Sequence, residues 1–155
     1  MFAGLVRYEI SNYAKPASQS RHNVNYWRSG DYLGLGAGAH SYRGSPTHAP
    51  WGQRWSNEKI PSRYMAMIEE SGQAVAEREE IDRTKAAGEF LFLGLRMTAG
   101  ISPDSFRARF GQYPQKLYPQ IADWTEGEFM EAKNGHLRLT KKGLMVANAI
   151  FVHFV

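Results

Sequence analysis

Gly34, Gly36 and Gly38 stand at alternate positions in the stretch Asp31-Tyr32-Leu33-Gly34-Leu35-Gly36-Ala37-Gly38-Ala39-His40-Ser41-Tyr42, and no other feature constrains the fold as much. Read with a period of two, one face carries Leu33, Leu35, Ala37 and Ala39, and the other carries Tyr32, the glycines, His40 and Tyr42. Glycine is poor inside a strand because it loses the most entropy on ordering and packs nothing. A stripe of glycines therefore marks a surface left bare for close approach, by another backbone or by a flat ligand. Polar groups gather at the C-terminal end, where parallel α/β folds keep their chemistry. The stretch reads as a strand floor beneath a ligand, with His40 and Tyr42 at its mouth.

The length of 155 residues allows one domain or two small ones, and 43% hydrophobic residues suffice for a core. A net charge of +4 does not by itself imply a nucleic-acid partner. The chain has no cysteine. Disulfides, zinc ribbons, cysteine nucleophiles and cysteine-ligated iron–sulfur clusters are thus excluded within it. The longest apolar run, Phe90 to Leu95, is too short to span a bilayer. Nothing at Met1-Phe2-Ala3 reads as a signal peptide, so a cytoplasmic location is expected.

Val6, Tyr8 and Ile10 alternate with polar residues and predict a strand ended by Asn12 to Pro16. It has no earlier element to pair with, so it is an edge strand or the chain starts partway through a larger fold. Ser18 to Gly30 reads as a long polar loop rich in His, Asn, Tyr and Trp, the kind that carries function. Residues 43–60 read as irregular, broken by Pro46, Pro50 and Gly52. A helix is predicted from Pro61 to about Gly72, and Glu77-Arg78-Glu79-Glu80 reads as a solvated linker or helix start near a boundary between two units.

The second half is more regular. Asp82 caps a helix running to Gly100, and Ser102-Pro103-Asp104 starts another that ends at Gly111. A short helix is predicted over about Gln115 to Trp124. Asn134-Gly135 joins two hairpin strands, and Thr140 caps a last helix. Helix, short helix, helix, hairpin, helix is the order of a winged-helix module. Arg107, Arg109, Lys116, Arg138, Lys141 and Lys142 are its candidate DNA readers, but acids at Asp123, Glu126 and Glu128 dilute the basic face. A protein-packing module is the better reading, with nucleic acid not expected as a partner.

Gly34-x-Gly36-x-x-Ala39 matches a dinucleotide fingerprint formally, but the residues after it do not start a helix. His22, His40 and His48 lack the spacing of a metal site, although an axial ligand to haem needs only one histidine. No G-x-S-x-G nucleophile motif occurs.

Three blocks carry a recognisable pattern: Tyr8-Glu9-Ile10-Ser11-Asn12-Tyr13-Ala14-Lys15-Pro16; Ser20-Arg21-His22-Asn23-x-Asn25-Tyr26-Trp27; and Asp31-Tyr32-Leu33-Gly34-x-Gly36-Ala37-Gly38-Ala39-His40-Ser41. With Leu93-Gly94-Leu95-Arg96, Gly100-Ile101 and Leu139-Thr140-x-x-Gly143, the chain resembles the oxygen-independent coproporphyrinogen III oxidase family of radical-SAM proteins, closest to its haem-chaperone branch. The resemblance implies an α/β (or α+β) fold: the last strands of a partial (β/α)₆ barrel in residues 1–76, then a mainly helical, winged-helix-like domain in residues 77–155.

It also implies that the parent protein holds a [4Fe-4S] cluster, S-adenosylmethionine and haem. The cluster's CxxxCxxC motif is missing here, so the chain reads as a C-terminal portion that binds none of these by itself and is not catalytic alone. Its implied partners are the missing N-terminal barrel half, haem or porphyrin, and a haem-accepting protein. Carried over by position, Ala14 lies near S-adenosylmethionine, His22 and His40 lie near haem, and Glu9, Asn12, Asn23 and Ser41 face the substrate. A true decarboxylating oxidase and a non-catalytic interaction module stay open as alternatives.

Overall fold

The computed structural model describes residues 4–45 and 47–155; the leader reading at Met1-Phe2-Ala3 and the break assigned to Pro46 lie outside them. The chain forms two compact units, one made of Met1–Ser29 with Ala87–Val155 and the other of Gly30–Ala86. All named strand pairings among the described residues are antiparallel.

In the first unit, β1 (Val6–Arg7) pairs with β2 (Tyr13–Ala14). This corrects the expectation of a partnerless strand from Val6 to Ile10 ended by Asn12–Pro16. The chain turns back at once, because the Tyr8 amide donates to the Asn12 carbonyl at 3.2 Å and the Arg7 guanidinium donates to the Ile10 carbonyl. Beyond the hairpin, Glu9 bridges Met97, and the Thr98 amide donates to the Tyr8 carbonyl at 3.1 Å. The loop expected over Ser18 to Gly30 contains a helix, α1 (Arg21–Trp27), whose cap is Ser20 accepting from the Asn23 amide at 3.3 Å. Its sequence hides the helix because no residue of α1 is buried; without an apolar stripe there is no helical periodicity to read.

The rest of that unit comprises most of α3 (Arg83–Gly94), α4 (Pro103–Phe110), α5 (Pro114–Leu117), α6 (Ile121–Glu126), the hairpin β6 (Met130–Lys133) and β7 (His136–Leu139), then α7 (Lys141–Met145) and α8 (Ala147–Phe151). The caps at Asp82, Ser102 and Thr140 form as read, accepting from Lys85, Ser105 and Gly143 amides at 2.9, 3.2 and 3.0 Å. The single helix expected over Gln115–Trp124 is two. Tyr118 precedes Pro119 and sits at φ −129°, ψ 78°, since a residue before proline is pushed out of the helical region. The last helix also breaks, at Val146 (φ −119°, ψ 20°). Leu91, Leu95, Phe106, Phe110, Ile121 and Met130 form the core.

Tyr118 lies at the edge of that core, its ring edge-on to Phe154 at 5.1 Å. Burial pushes its phenol above the ordinary value. A raised folded-state pKa stabilises the fold below the unfolded value and loses that contribution as pH rises through the folded one. Between pH 9 and 11, Tyr118→Phe should therefore lose less of its urea midpoint than the parent chain; equal losses would contradict this.

In the second unit, β3 (His40–Arg43), β4 (Gln53–Asn57) and β5 (Val75–Glu80) form a sheet in that order, with α2 (Pro61–Ser71) between β4 and β5. Residues 43–60, expected to be irregular, thus contain a strand, and so does the charged linker at 77–80. β5 is an edge strand, and its charges suit an edge: Glu79 faces Arg54 at 3.6 Å and Glu77 faces Ser56.

Candidate functional site

The glycine stretch is not a strand. Only His40–Arg43 is extended, with an isolated bridge from Tyr32 to Tyr42. Gly36 and Gly38 have φ of +100° and +69°, which side-chain-bearing residues rarely adopt. A Cβ on Gly34 would meet the His40 carbonyl oxygen. Of the two reasons for a bare face, the approach of backbone is the one realised. Leu33 and Leu35 point outward, 69% and 83% exposed.

The implied site residues divide between the units. Glu9, Asn12, Ala14, His22 and Asn23 belong to the first, and His40 and Ser41 to the second. Glu9 is fully buried; its Oε1 accepts from the Ser11 amide at 3.0 Å, while Oε2 has no hydrogen-bond partner. Asn12 is exposed in the hairpin turn, and Ala14 is half-buried opposite Val6.

On α1, His22 is exposed and meets Tyr26 one turn on, edge to face at 4.8 Å. Asn23 is half-buried and gives its amide to the Ser20 cap. Next along the helix, the Arg96 guanidinium lies over the Trp27 ring at 4.4 Å, a cation–π contact. Trp27 Nε1 and Arg96 Nε are both buried without a hydrogen-bond partner. Arg96 fixes this corner through its backbone too, accepting from the Ile10 amide at 3.0 Å. A cavity of about 280 Å³ opens beside Trp27, with Ser102, Ser105 and His136 on its wall. Its size falls just under the ~300 Å³ at which small-molecule sites begin. The Trp27–Arg96 pair went unread in the sequence because the two residues are far apart along it.

In the second unit, cross-strand register sorts the side chains. His40, Ser56 and Glu77 are opposite one another, as are Tyr42, Arg54 and Glu79. His40 thus sits on a face with two carboxylates. The other face carries Ser41, Trp55 and Arg78, then Arg43 and Gln53. Ser41 is fully buried, and its Oγ accepts from the Gly34 amide at 2.9 Å. On that face a groove of about 480 Å³ runs between the sheet and α2, bordered by Leu33 and Leu35.

Among the described residues no three His, Asp or Glu side chains gather as a metal site, and no helix is long and apolar enough to cross a membrane. With no cysteine, the chain offers no thiolate to an iron–sulfur cluster.

Residues 81–146 match the HemN C-terminal domain family. A heme chaperone HemW of Bacillus subtilis is 34% identical over 153 residues, 98% of this chain and 38% of that protein. The heme chaperone HemW of Escherichia coli is 29% identical over 155 residues, 99% of this chain and 39% of that protein. The chain thus spans less than two-fifths of these curated relatives. Among solved structures, coproporphyrinogen III oxidase (HemN) from Escherichia coli, described as a radical SAM enzyme, aligns with a TM-score of 0.70 at 15% identity, over 97% of this chain and 37% of that one.

The fold is therefore mixed α/β and similar to that of a radical-SAM coproporphyrinogen oxidase. Residues 81–146 match the HemN C-terminal domain, and the chain as a whole is similar to a C-terminal portion of proteins named heme chaperone HemW.

Proposed function

We propose that this chain is the haem-contacting C-terminal portion of a radical-SAM, HemN-like haem chaperone acting in the cytoplasm. The observation that carries the reading is the match of 98% of the chain, at 34% identity, to a protein named a heme chaperone. On this reading residues 1–76 supply the last of the barrel and 77–155 a winged-helix-like domain, a boundary that falls inside β5 and differs from the compact units of the fold. The bridge between Ile101 and Leu137 supports the winged-helix-like domain, because it adds a third short strand to the β6–β7 hairpin between α3 and α4. The iron–sulfur cluster does not fit the residues present, so no radical step is assigned to them; the cluster and most S-adenosylmethionine contacts belong to a preceding barrel half. Ala14, at the end of β2, is this chain's residue next to that cofactor.

For haem, the best placed side chain is His22. It is exposed, an imidazole is an iron ligand, and Tyr26 packs its ring from below. His40 has two carboxylates on its face, which repel the propionates of haem. Against the expectation that the chain holds no haem by itself, the exposed His22 leads us to expect that haem titrated into the chain gives a saturable Soret shift that His22→Ala alters and His40→Ala leaves unchanged. A His22→Ala spectrum identical to the parent's would remove His22 as a ligand, and a free-haem spectrum at every ratio would overturn the reading.

A further inference from the structure

The groove of the second unit joins three properties that no single stretch of sequence displays. Its walls include Trp55 and Tyr64, two flat aromatic rings, together with Leu33 and Leu35. Arg43, His48 and Arg78 also line it, and no carboxylate does; Glu80, opposite Gln53 on the same face, lies outside the lining. Arg43 and Arg78 are exposed and make no ion pair among the described residues. The other arginine of this three-stranded sheet, Arg54, lies on the opposite face and is paired with Glu79.

The register places the two free guanidinium groups. Arg43 on β3 is opposite Gln53, and Arg78 on β5 is opposite Trp55, two residues along β4. Two strand spacings across and two residues along put their Cα atoms about 12 Å apart on a diagonal of the sheet. Two long cationic side chains at that separation, on either side of an aromatic-walled trough, suit a wide flat molecule that carries two carboxylates. The groove's volume falls within the ~300–1,000 Å³ typical of small-molecule sites, and aromatic rings favour stacking on a π-face.

We infer that this groove is a porphyrin seat, with Arg43 and Arg78 pairing with the carboxylates and Trp55 and Tyr64 lying against the macrocycle. The inference rests on the haem reading above and adds a second contact surface, one that needs no iron. His48 completes the wall with a ring that donates a hydrogen bond in either protonation state.

Iron-free protoporphyrin IX separates this seat from iron ligation, because it has no axial ligand to gain. Its fluorescence titrated against the chain is expected to report saturable binding. Arg43→Gln with Arg78→Gln should weaken that binding about tenfold, in line with the loss of two exposed charge pairs. Arg54→Gln, on the opposite face, should change it less than twofold. Arg43 and Arg78 are exposed and Arg54 is half-buried, and circular dichroism checks that the variants fold. Undiminished binding in the double variant, or equal losses in the double variant and Arg54→Gln, would overturn the seat while leaving haem binding through His22 intact. Haem binding without any protoporphyrin binding would also overturn it. Failure of the parent chain to bind either ligand would overturn both readings.

Discussion

Replacing Phe106 with alanine is expected to destabilise the first unit by about 3–5 kcal/mol, the range for deleting a fully buried aromatic ring. Phe106 is completely inaccessible. Its ring meets Phe110 at 4.7 Å and Phe90 at 5.7 Å, and Phe90 meets Phe110 at 5.7 Å. The three rings form a closed triangle between α3 and α4, so the loss removes two ring contacts as well as buried area. Leu91 and Leu95, both fully buried, leave the neighbouring core little freedom to collapse into the gap. Against a typical total of ~5–15 kcal/mol, such a loss empties much of the folded population. Urea denaturation followed by far-ultraviolet circular dichroism measures it. A loss below ~1 kcal/mol would show that the triangle is not a core element.

The second large effect is expected at Gly100, where two penalties coincide. Its φ is +75°, and a residue with a Cβ held there costs about 1–3 kcal/mol. The added Cβ would also meet the Leu137 carbonyl oxygen and lie 2.9 Å from the Arg138 Cα. Backbone cannot swing aside as a side chain does, so overpacking adds about 1–3 kcal/mol. Gly100→Ala should therefore cost about 2–6 kcal/mol in total. The damage is local to the exchange of 2.9 Å hydrogen bonds between Ile101 and Leu137. Hydrogen exchange at those two amides should accelerate ahead of the α4 amides. An unchanged urea midpoint would mean that the bridge is not fixed by this glycine.

These two positions illustrate how unevenly the fold could be read from the sequence. Ser102-Pro103-Asp104, Thr140 and Asn134-Gly135 were legible because each acts within a few residues. A cap satisfies an amide three positions on, and Asn134 and Gly135 adopt the positive φ of 52° and 75° that a two-residue hairpin turn needs. The strand β5 was not legible, because its Val-Ala-Glu-Arg-Glu-Glu sequence carries charge on both faces and is explained only by its partner β4. Helix α1 was hidden for the complementary reason, having no buried stripe.

The glycine stretch is the most instructive case. Its alternation mimics a strand period, yet each glycine answers a separate backbone demand: left-handed φ at Gly36 and Gly38, and the His40 carbonyl at Gly34. Site residues followed the same rule. The contact between the exposed His22 and Tyr26, four apart on α1, was hidden along with the helix itself. The grouping of Arg43 with Arg78, and the carboxylates beside His40, follow from strand register alone.

The central claim is that these 155 residues contact haem, and equilibrium titration of haem into the isolated chain tests it most directly. A Soret band that shifts and saturates at one haem per chain, with a smaller or displaced shift in His22→Ala, is the result predicted. A spectrum that tracks free haem linearly through and beyond equivalence would contradict it.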